Sequence, residues 1–348
     1  MIHSLEELQR KERKRSKHME KVKWGVLGTA NIARNCTIPG MKKVDNCELY
    51  AIAGRSQKKA QSFKDEFGFE KAYGSYDELI DDPEVQAVYI PLTNDLHSKW
   101  VKRSLESGKH VLCEKPLALS VAEARDMFDT ATANKRLLME AFAYLHSPYM
   151  KQLQEDVKSG MIGNVDYVES AFITQGYKED FRLSRDRGGG AMYDLGCYCT
   201  SMILSLIDSE PDFVKADAEF SESGVDLMTG AIIRFKNGTR ATFNVGMVLG
   251  KDSNFRFDRL YIHGNKGSIR SDVEYNREGD VSYMVYTTEG VIERKIRVPQ
   301  NYALEVEQFG KCILSGEEPL VTPDLSIRNA QLMEKILNNS GYLKYLPG

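Results

Sequence analysis

Little in this chain ties it to a membrane, to nucleic acid or to an oxidising compartment. Six cysteines (Cys36, Cys47, Cys113, Cys197, Cys199 and Cys312) are spread over 348 residues, with no C-x-x-C pair. A chain this long needs no disulfide framework, so the thiols read as small buried groups in a reducing, cytoplasmic setting. No apolar run approaches the ~20 residues that cross a bilayer. Lys and Arg number 47 against 50 Asp and Glu, a net charge of −3 that gives no global field toward nucleic acid or a membrane surface. No metal is expected: Cys197 and Cys199, two apart on a helical stretch, splay their sulfurs and lack companions. The charged segment 1–20, MIHSLEELQRKERKRSKHME, has no apolar centre and reads as a solvated helix, not a secretory signal.

What is present is enough hydrophobic material, 42% of residues, to build real cores. From Lys23 the chain alternates short apolar runs with helical periods. Strands are predicted at 23–27, 48–53, 71–73, 87–91, 110–113 and 137–140, with helices between them. Ser120 and Glu123 sit at capping-box spacing at the head of one helix. Six strands with intervening helices predict an α/β Rossmann domain, a doubly wound parallel sheet, over 21–142. After Phe142 the pattern changes. A helix at 148–159 leads into β-rich runs at 165–174, 215–220, 229–235, 240–248, 258–264, 267–271, 281–287 and 291–297. Asn237-Gly238 is a hairpin signal between two of them. These predict an α+β domain over 143–348 with a large, open-faced, mainly antiparallel sheet. Two last helices, 303–315 and 324–339, pack back on the body.

Chemistry concentrates at strand ends. The stretch KHVLCEKP, 109–116, ends a strand in Glu114 and Lys115 because Pro116 bars its neighbour from helical geometry. Ligands bind at that edge of an open α/β sheet, and an ammonium there can grip a substrate oxygen or share a proton. A solvated charge at a loop start has the same signature. Gly28, Thr29, Ala30, Asn31 and Ile32 form the turn between first strand and first helix, where small residues let backbone amides approach a pyrophosphate. Leu92, Thr93 and Asn94 follow the fourth strand and line the same crevice with Glu114. His97, in the next helical turn, belongs to that segment, although a lone histidine also serves as a structural hydrogen-bonder. The second strand ends in Arg55-Ser56 rather than an acidic residue, which suits a 2′-phosphate and predicts NADP(H) over NAD(H). A glycine triplet, 188–190, precedes a helical stretch on which Asp194 and Tyr198, four apart, share a face. A carboxylate beside a phenol can orient or accept a proton, or simply form a buried Tyr–Asp hydrogen bond.

Together these residues resemble the glucose–fructose oxidoreductase/inositol dehydrogenase (Gfo/Idh/MocA) family. The likeness is carried by GVLGTANIA at 25–33, GKHVLCEKP at 108–116, EAF at 140–142 and GGGAMYDLGCY at 188–198. Tyr198, where many members carry histidine, is similar to the branch holding D-xylose dehydrogenases and dimeric dihydrodiol dehydrogenases. The resemblance implies NAD(P)-dependent hydride transfer at a carbinol or carbonyl carbon of a sugar, polyol or related cyclic diol. It implies that Lys115 and Asp194 match active-site residues and that Arg55 matches an arginine beside the adenosine phosphate. Tyr198 is then expected to shuttle the proton, with Lys115 stabilising charge on oxygen and Asp194 orienting both or holding a hydroxyl. Tyr177 and Arg182 are expected to meet substrate hydroxyls. Ala30 replaces the family's usual glycine, and Leu145 stands where many relatives carry an arginine. A homodimer or higher oligomer through the exposed sheet face is expected. Two other readings are a non-catalytic NADP-binding sensor and a glycoside-processing enzyme with a retained, recycled cofactor.

Overall fold

A computed structural model describes residues 20–177, 180–250 and 255–344. The charged segment 1–20 therefore lies, apart from Glu20, outside the described residues. The first half builds β1 (Val22–Leu27), β2 (Cys47–Ala53), β3 (Lys71–Tyr73), β4 (Ala87–Ile90), β5 (His110–Glu114) and β6 (Leu138–Ala141). They pair in the order β3-β2-β1-β4-β5-β6, every pairing parallel. All four residues of β4, AVYI, are buried, as the central strand of a sheet covered on both faces requires. The covering helices include Gln57–Phe67, Asn94–Glu106 and Val121–Ala133. Ser120 caps the last of these by accepting from Glu123 N at 3.2 Å, and the Glu123 carboxylate returns to Leu119 N at 3.1 Å. Strand order reverses between β1 and β4, so their C-terminal ends part to open a crevice.

The helix after β1 is not uniformly α-helical. A π-helical turn, Ala33–Thr37, precedes an α-helical turn, Ile38–Met41. Pro39, with no N–H to give, sits at the change of register. The stretch carrying Asp194 does the same, with a π-helical turn, Met192–Gly196, running into an α-helix, Cys197–Leu206. The second π turn lines the crevice through Asp194 and Leu195, and the first follows directly on the lining residues Ala30, Asn31 and Ile32.

The second half builds β7 (Val165–Gln175), β8 (Pro211–Phe220), β9 (Asp226–Phe235), β10 (Arg240–Leu249), β11 (Phe257–Gly264), β12 (Gly267–Ser271), β13 (Gly279–Thr287) and β14 (Gly290–Val298). Their order is β14-β13-β12-β11-β7-β10-β9-β8. Six of the seven pairings are antiparallel, and β7 and β10 run parallel at the centre. Hairpin succession alone does not reveal that pair, because β10 reaches β7 only after a long excursion through the 188–206 segment, β8 and β9. The Asn237-Gly238 turn forms between β9 and β10, with Gly238 at φ +89° and Asn237 Oδ1 accepting from Thr239 N. Along β10, Ala241, Phe243 and Val245 are buried under helices, while Arg240, Thr242 and Asn244 alternate onto the other face. That outer face exposes Ile232 and Val291.

One apolar cluster joins the two sheets. Trp24 of β1 is fully buried against Phe309 of the helix Asn301–Ser315, ring centroids 5.3 Å apart. That helix lies so close to Gly40 that a Cβ there would fall 2.9 Å from Ala303 N. The helix Pro323–Asn339 docks on Cys197–Leu206 through Thr200, whose hydroxyl donates to Asn329 Oδ1 at 2.6 Å. The two last helices thus fix the second sheet over the crevice of the first.

Candidate active site

A cleft of about 420 Å³ opens where the strand ends of the parallel sheet face β7 and the 180–198 segment. On one side it is lined by Ala30, Asn31, Ile32, Pro91, Leu92, Thr93, Asn94, Glu114 and Lys115. On the other it is lined by Phe172, Tyr177, Asp180, Phe181, Arg182, Asp194, Leu195 and Tyr198. The turn after β1 suits a dinucleotide. Gly28 has φ +124°, and a Cβ on it would sit 2.9 Å from the Leu92 side chain. Helical hydrogen bonding begins with Arg34 N to Ala30 O, so the amides ahead of Arg34 lack intrahelical acceptors, as a pyrophosphate site needs, and Ala30, Asn31 and Ile32 line the cleft. The Ala30 methyl borders the cleft without closing it. Arg55 and Ser56 lie apart from this lining, exposed at the tip of β2. Ser56 makes no side-chain cap to the helix behind it, and Tyr76 is close enough to feel the Arg55 charge.

Lys115 leaves β5 across a cis Lys115–Pro116 bond. Its Nζ donates to Asp194 O at 2.7 Å and to Asp194 Oδ1 at 3.0 Å, joining residues 79 positions apart. Arg182 Nε donates to Asp194 Oδ2 at 2.8 Å, and Arg182 also pairs with Asp180. The Lys115 ammonium stands 4.7 Å above the Tyr198 ring. The Tyr–Asp hydrogen bond that the four-residue spacing allowed does not form. Asp194 is taken by the two cations, and the Tyr198 hydroxyl has no hydrogen-bond partner among the described residues. The ring is held instead by Phe142, Tyr144, Phe172 and Tyr275, with centroids at 5.1 to 5.8 Å. Tyr198 therefore presents its hydroxyl to the cleft from an aromatic socket.

Burial and charge set the protonation states. Burial pulls the Lys115 ammonium toward neutrality, but Asp194 overrides it and holds the pKa well above the ordinary lysine range. Burial likewise opposes the Asp194 charge, yet Lys115 and then Arg182 keep its carboxyl below the usual value. For Tyr198, burial prevails over the opposing pull of Lys115, and the phenol is pushed up. At neutral pH the site holds an ammonium, a carboxylate and a neutral phenol.

Several side chains hold this arrangement from behind. In the glycine triplet, a Cβ on Gly189 would sit 2.4 Å from Arg182 O, and one on Gly190 would sit 2.1 Å from Asp226 Oδ1. The triplet therefore answers a need for close approach. Asp226, from β9, accepts from Met192 N at 2.8 Å and caps the turn carrying Asp194. Glu140 of β6 accepts from Leu117 N at 2.9 Å, and burial pushes its carboxyl up to about 7. Glu114 accepts from the Tyr89 hydroxyl, which in turn accepts from Thr37.

His97 corrects the expectation of a cofactor contact. Its ring is fully buried behind the cleft, with Nδ1 2.9 Å from Pro116 O and Nε2 3.0 Å from Leu92 O. Asn94 borders the cleft, but its amide donates to Gly188 O at 2.8 Å. Tyr177 and Arg182 both line the cleft, with the guanidinium 4.9 Å from the ring centroid. Leu145 packs on the core and does not line the cleft.

The sequence reading missed Phe172, Asp180 and Leu195 in the lining and Glu140 and Asp226 behind it. Glu140 left a signal, a lone charge inside the apolar run LMEAF. Phe172 left none, since strand residues on either face look alike before the partner surface is known. Among the described residues no group of three or more His, Cys, Asp or Glu could hold a metal, and no helix is long and apolar enough to cross a membrane.

Residues 22–142 match the model of an oxidoreductase family with an NAD-binding Rossmann fold, Gfo/Idh/MocA, and 150–270 match its C-terminal domain. The chain is 30% identical to D-xylose 1-dehydrogenase (NADP(+)) 2 of Haloferax volcanii, covering 91% of this chain and 97% of that protein. It is 28% identical to trans-1,2-dihydrobenzene-1,2-diol dehydrogenase of Xenopus tropicalis, covering 92% and 98%. Among solved structures, a 3-ketoreductase from Actinomadura kijaniata in complex with NADP and TDP-benzene superposes with a TM-score of 0.85. Sequence identity there is 26%, over 92% of this chain and 98% of that one. With a dinucleotide turn, a strand-end lysine and a facing aspartate in one cleft, and both family domains matched along its length, this chain belongs to the Gfo/Idh/MocA oxidoreductases.

Proposed function

We propose that the protein transfers a hydride between NADP(H) and a carbinol or carbonyl carbon of a sugar, polyol or related cyclic diol. The observation that carries this reading is the meeting of Lys115, Asp194 and Tyr198 in a cleft continuous with the turn after β1. A nicotinamide bound there supplies or accepts the hydride. Every proton and charge is then left to side chains. The substrate oxygen lies between Lys115 Nζ and the Tyr198 hydroxyl. Lys115 stabilises negative charge developing on that oxygen, and Tyr198 gives it a proton in reduction or takes one in oxidation. Asp194 keeps Lys115 charged and in place. Arg182, Tyr177 and Phe181 meet the hydroxyls and apolar face of the substrate. Similar proteins named as a D-xylose dehydrogenase and a dihydrodiol dehydrogenase support both the reaction class and the substrate range.

The finer assignments rest on separate features. NADP(H) is favoured because Arg55 and Ser56 stand at the tip of β2 with no acidic residue to take a ribose hydroxyl. Residues 21–142 serve the cofactor, and 143–348 serve the substrate and self-association. The outer face of the eight-stranded sheet, with Ile232 and Val291 exposed on it, supports a homodimer or higher oligomer. Free thiols at all six cysteines fit a cytoplasmic setting.

Three measurements test this reading. With Lys115→Ala, NADP(H) binding should persist while turnover over a panel of sugars and diols falls by ~10³-fold or more. Near-normal turnover would end the catalytic role. With Arg55→Ala, affinity for NADP should weaken by roughly 10- to 100-fold, the worth of a hydrogen bond to a charged group, while NAD affinity stays unchanged. Equal losses for both cofactors would remove Arg55 from the phosphate site. Because Tyr198 is raised, it is a ready donor at neutral pH and a poor acceptor. Oxidation should therefore accelerate as pH rises into the alkaline range, while reduction stays level there because the phenol remains protonated. Parallel pH profiles in the two directions would contradict the phenol's role.

A further inference from the structure

The Lys115–Asp194 pair spans two halves of the chain, one partner on a loop of the parallel sheet and the other on a helix under the large sheet. Their direct contact is backed by a third element. The first turn of the helix Asn94–Glu106 touches both turns. Asn94 Nδ2 donates to Gly188 O at 2.8 Å, in the glycine triplet that leads into the Asp194 turn. His97 Nδ1 lies 2.9 Å from Pro116 O, the residue next to Lys115, and its Nε2 lies 3.0 Å from Leu92 O on the neighbouring cleft loop. Asn94 and His97 are three residues apart, so they rise from one helix face. Asn94 is 7% exposed and His97 is wholly buried, so neither contact is diluted by solvent.

We propose that Asn94 and His97 act together as positioning residues that hold the Lys115 turn and the Asp194 turn at a fixed separation. The inference rests on the reading of Lys115 and Asp194 as active-site groups. A helical turn suits the task because its backbone is already rigid, so two short side chains transmit position without slack. The imidazole suits it because a flat ring with two nitrogens reaches carbonyls on two different loops. Both partners are carbonyl oxygens, so a neutral ring donates to one of them and only the imidazolium donates to both. No charge, nucleophile or substrate contact is required of either residue.

The test uses the full chain with NADP(H) and whichever sugar or diol the wild type turns over best. Asn94→Asp keeps the shape but loses the amide donor to Gly188 O. His97→Gln keeps a donor but cannot span both loops, and His97→Ala removes both contacts. Asn94→Asp and His97→Gln should each lower kcat by roughly 10- to 100-fold, the scale set by an ångström of misplacement. Cofactor Kd for His97→Gln should stay near the wild-type value, because the ring does not reach the cleft. The alkaline rise of oxidation should move to higher pH in both variants, because a displaced Lys115 no longer favours ionisation of Tyr198. In the double variant the loss in kcat should be less than the product of the two single losses, because both act on one distance. If His97→Ala does not fold, the two shape-preserving variants decide. The proposal is overturned if both keep kcat and the pH profile of the wild type, or if they change only cofactor affinity. Absence of turnover in the wild type would instead overturn the proposed function.

Discussion

A lysine and an aspartate that are each almost cut off from water need one another to stay charged. Removing an ion from water costs several kcal/mol, and an unpaired buried charge neutralises instead. Lys115 and Asp194 avoid this by pairing at 3.0 Å, and Arg182 supplies the second oxygen of the same carboxylate with a donor at 2.8 Å. The cluster keeps an ammonium at the mouth of a buried cleft. It also takes the Asp194 carboxylate away from Tyr198, whose hydroxyl has no hydrogen-bond partner among the described residues. The site thus sets an ammonium against a neutral phenol, the pair to which the proposed function gives charge stabilisation and proton transfer.

That pairing makes the two sheets interdependent. The parallel sheet provides the crevice and the lysine, and the 180–198 segment under the antiparallel sheet provides the aspartate, arginine and tyrosine. A shift between the halves would break the ion pair first. The fold resists it with the Trp24–Phe309 contact, with helix packing at Gly40 that leaves no space for a Cβ, and with a continuous apolar cluster. Nearer the site, Asp226 and Glu140 fix single backbone amides at Met192 and Leu117. Both carboxyls are raised by burial, Asp226 to about 6 and Glu140 to about 7. Each accepts this cost to place a turn that carries a charged group.

Much of this was legible in the residues themselves. The alternation of apolar runs with helical periods to Phe142 fits the six-stranded parallel sheet, because buried strands and amphipathic helices have distinct periods. Lys115 was recognisable because a proline follows it, and Asp194 and Tyr198 because a glycine triplet precedes them. Other features were hidden. The parallel pairing of β7 with β10 depends on a return from far along the chain, which local turns do not encode. Asp194 and Tyr198 do lie on one face of a helical segment, but spacing could not say that two cations would claim the carboxylate. His97 carries the same signature whether it meets a ligand or braces a loop. Only its carbonyl neighbours, on loops 5 and 19 positions away, distinguish the two.

The most direct examination of the account is a crystal structure with NADP(H) and a slowly turned over sugar or diol bound together. The reacting oxygen should lie within hydrogen-bonding distance of both Lys115 Nζ and the Tyr198 hydroxyl, with the carbon it belongs to facing the nicotinamide ring. An oxygen bound away from that pair, or a nicotinamide pointing out of the cleft they line, would contradict it.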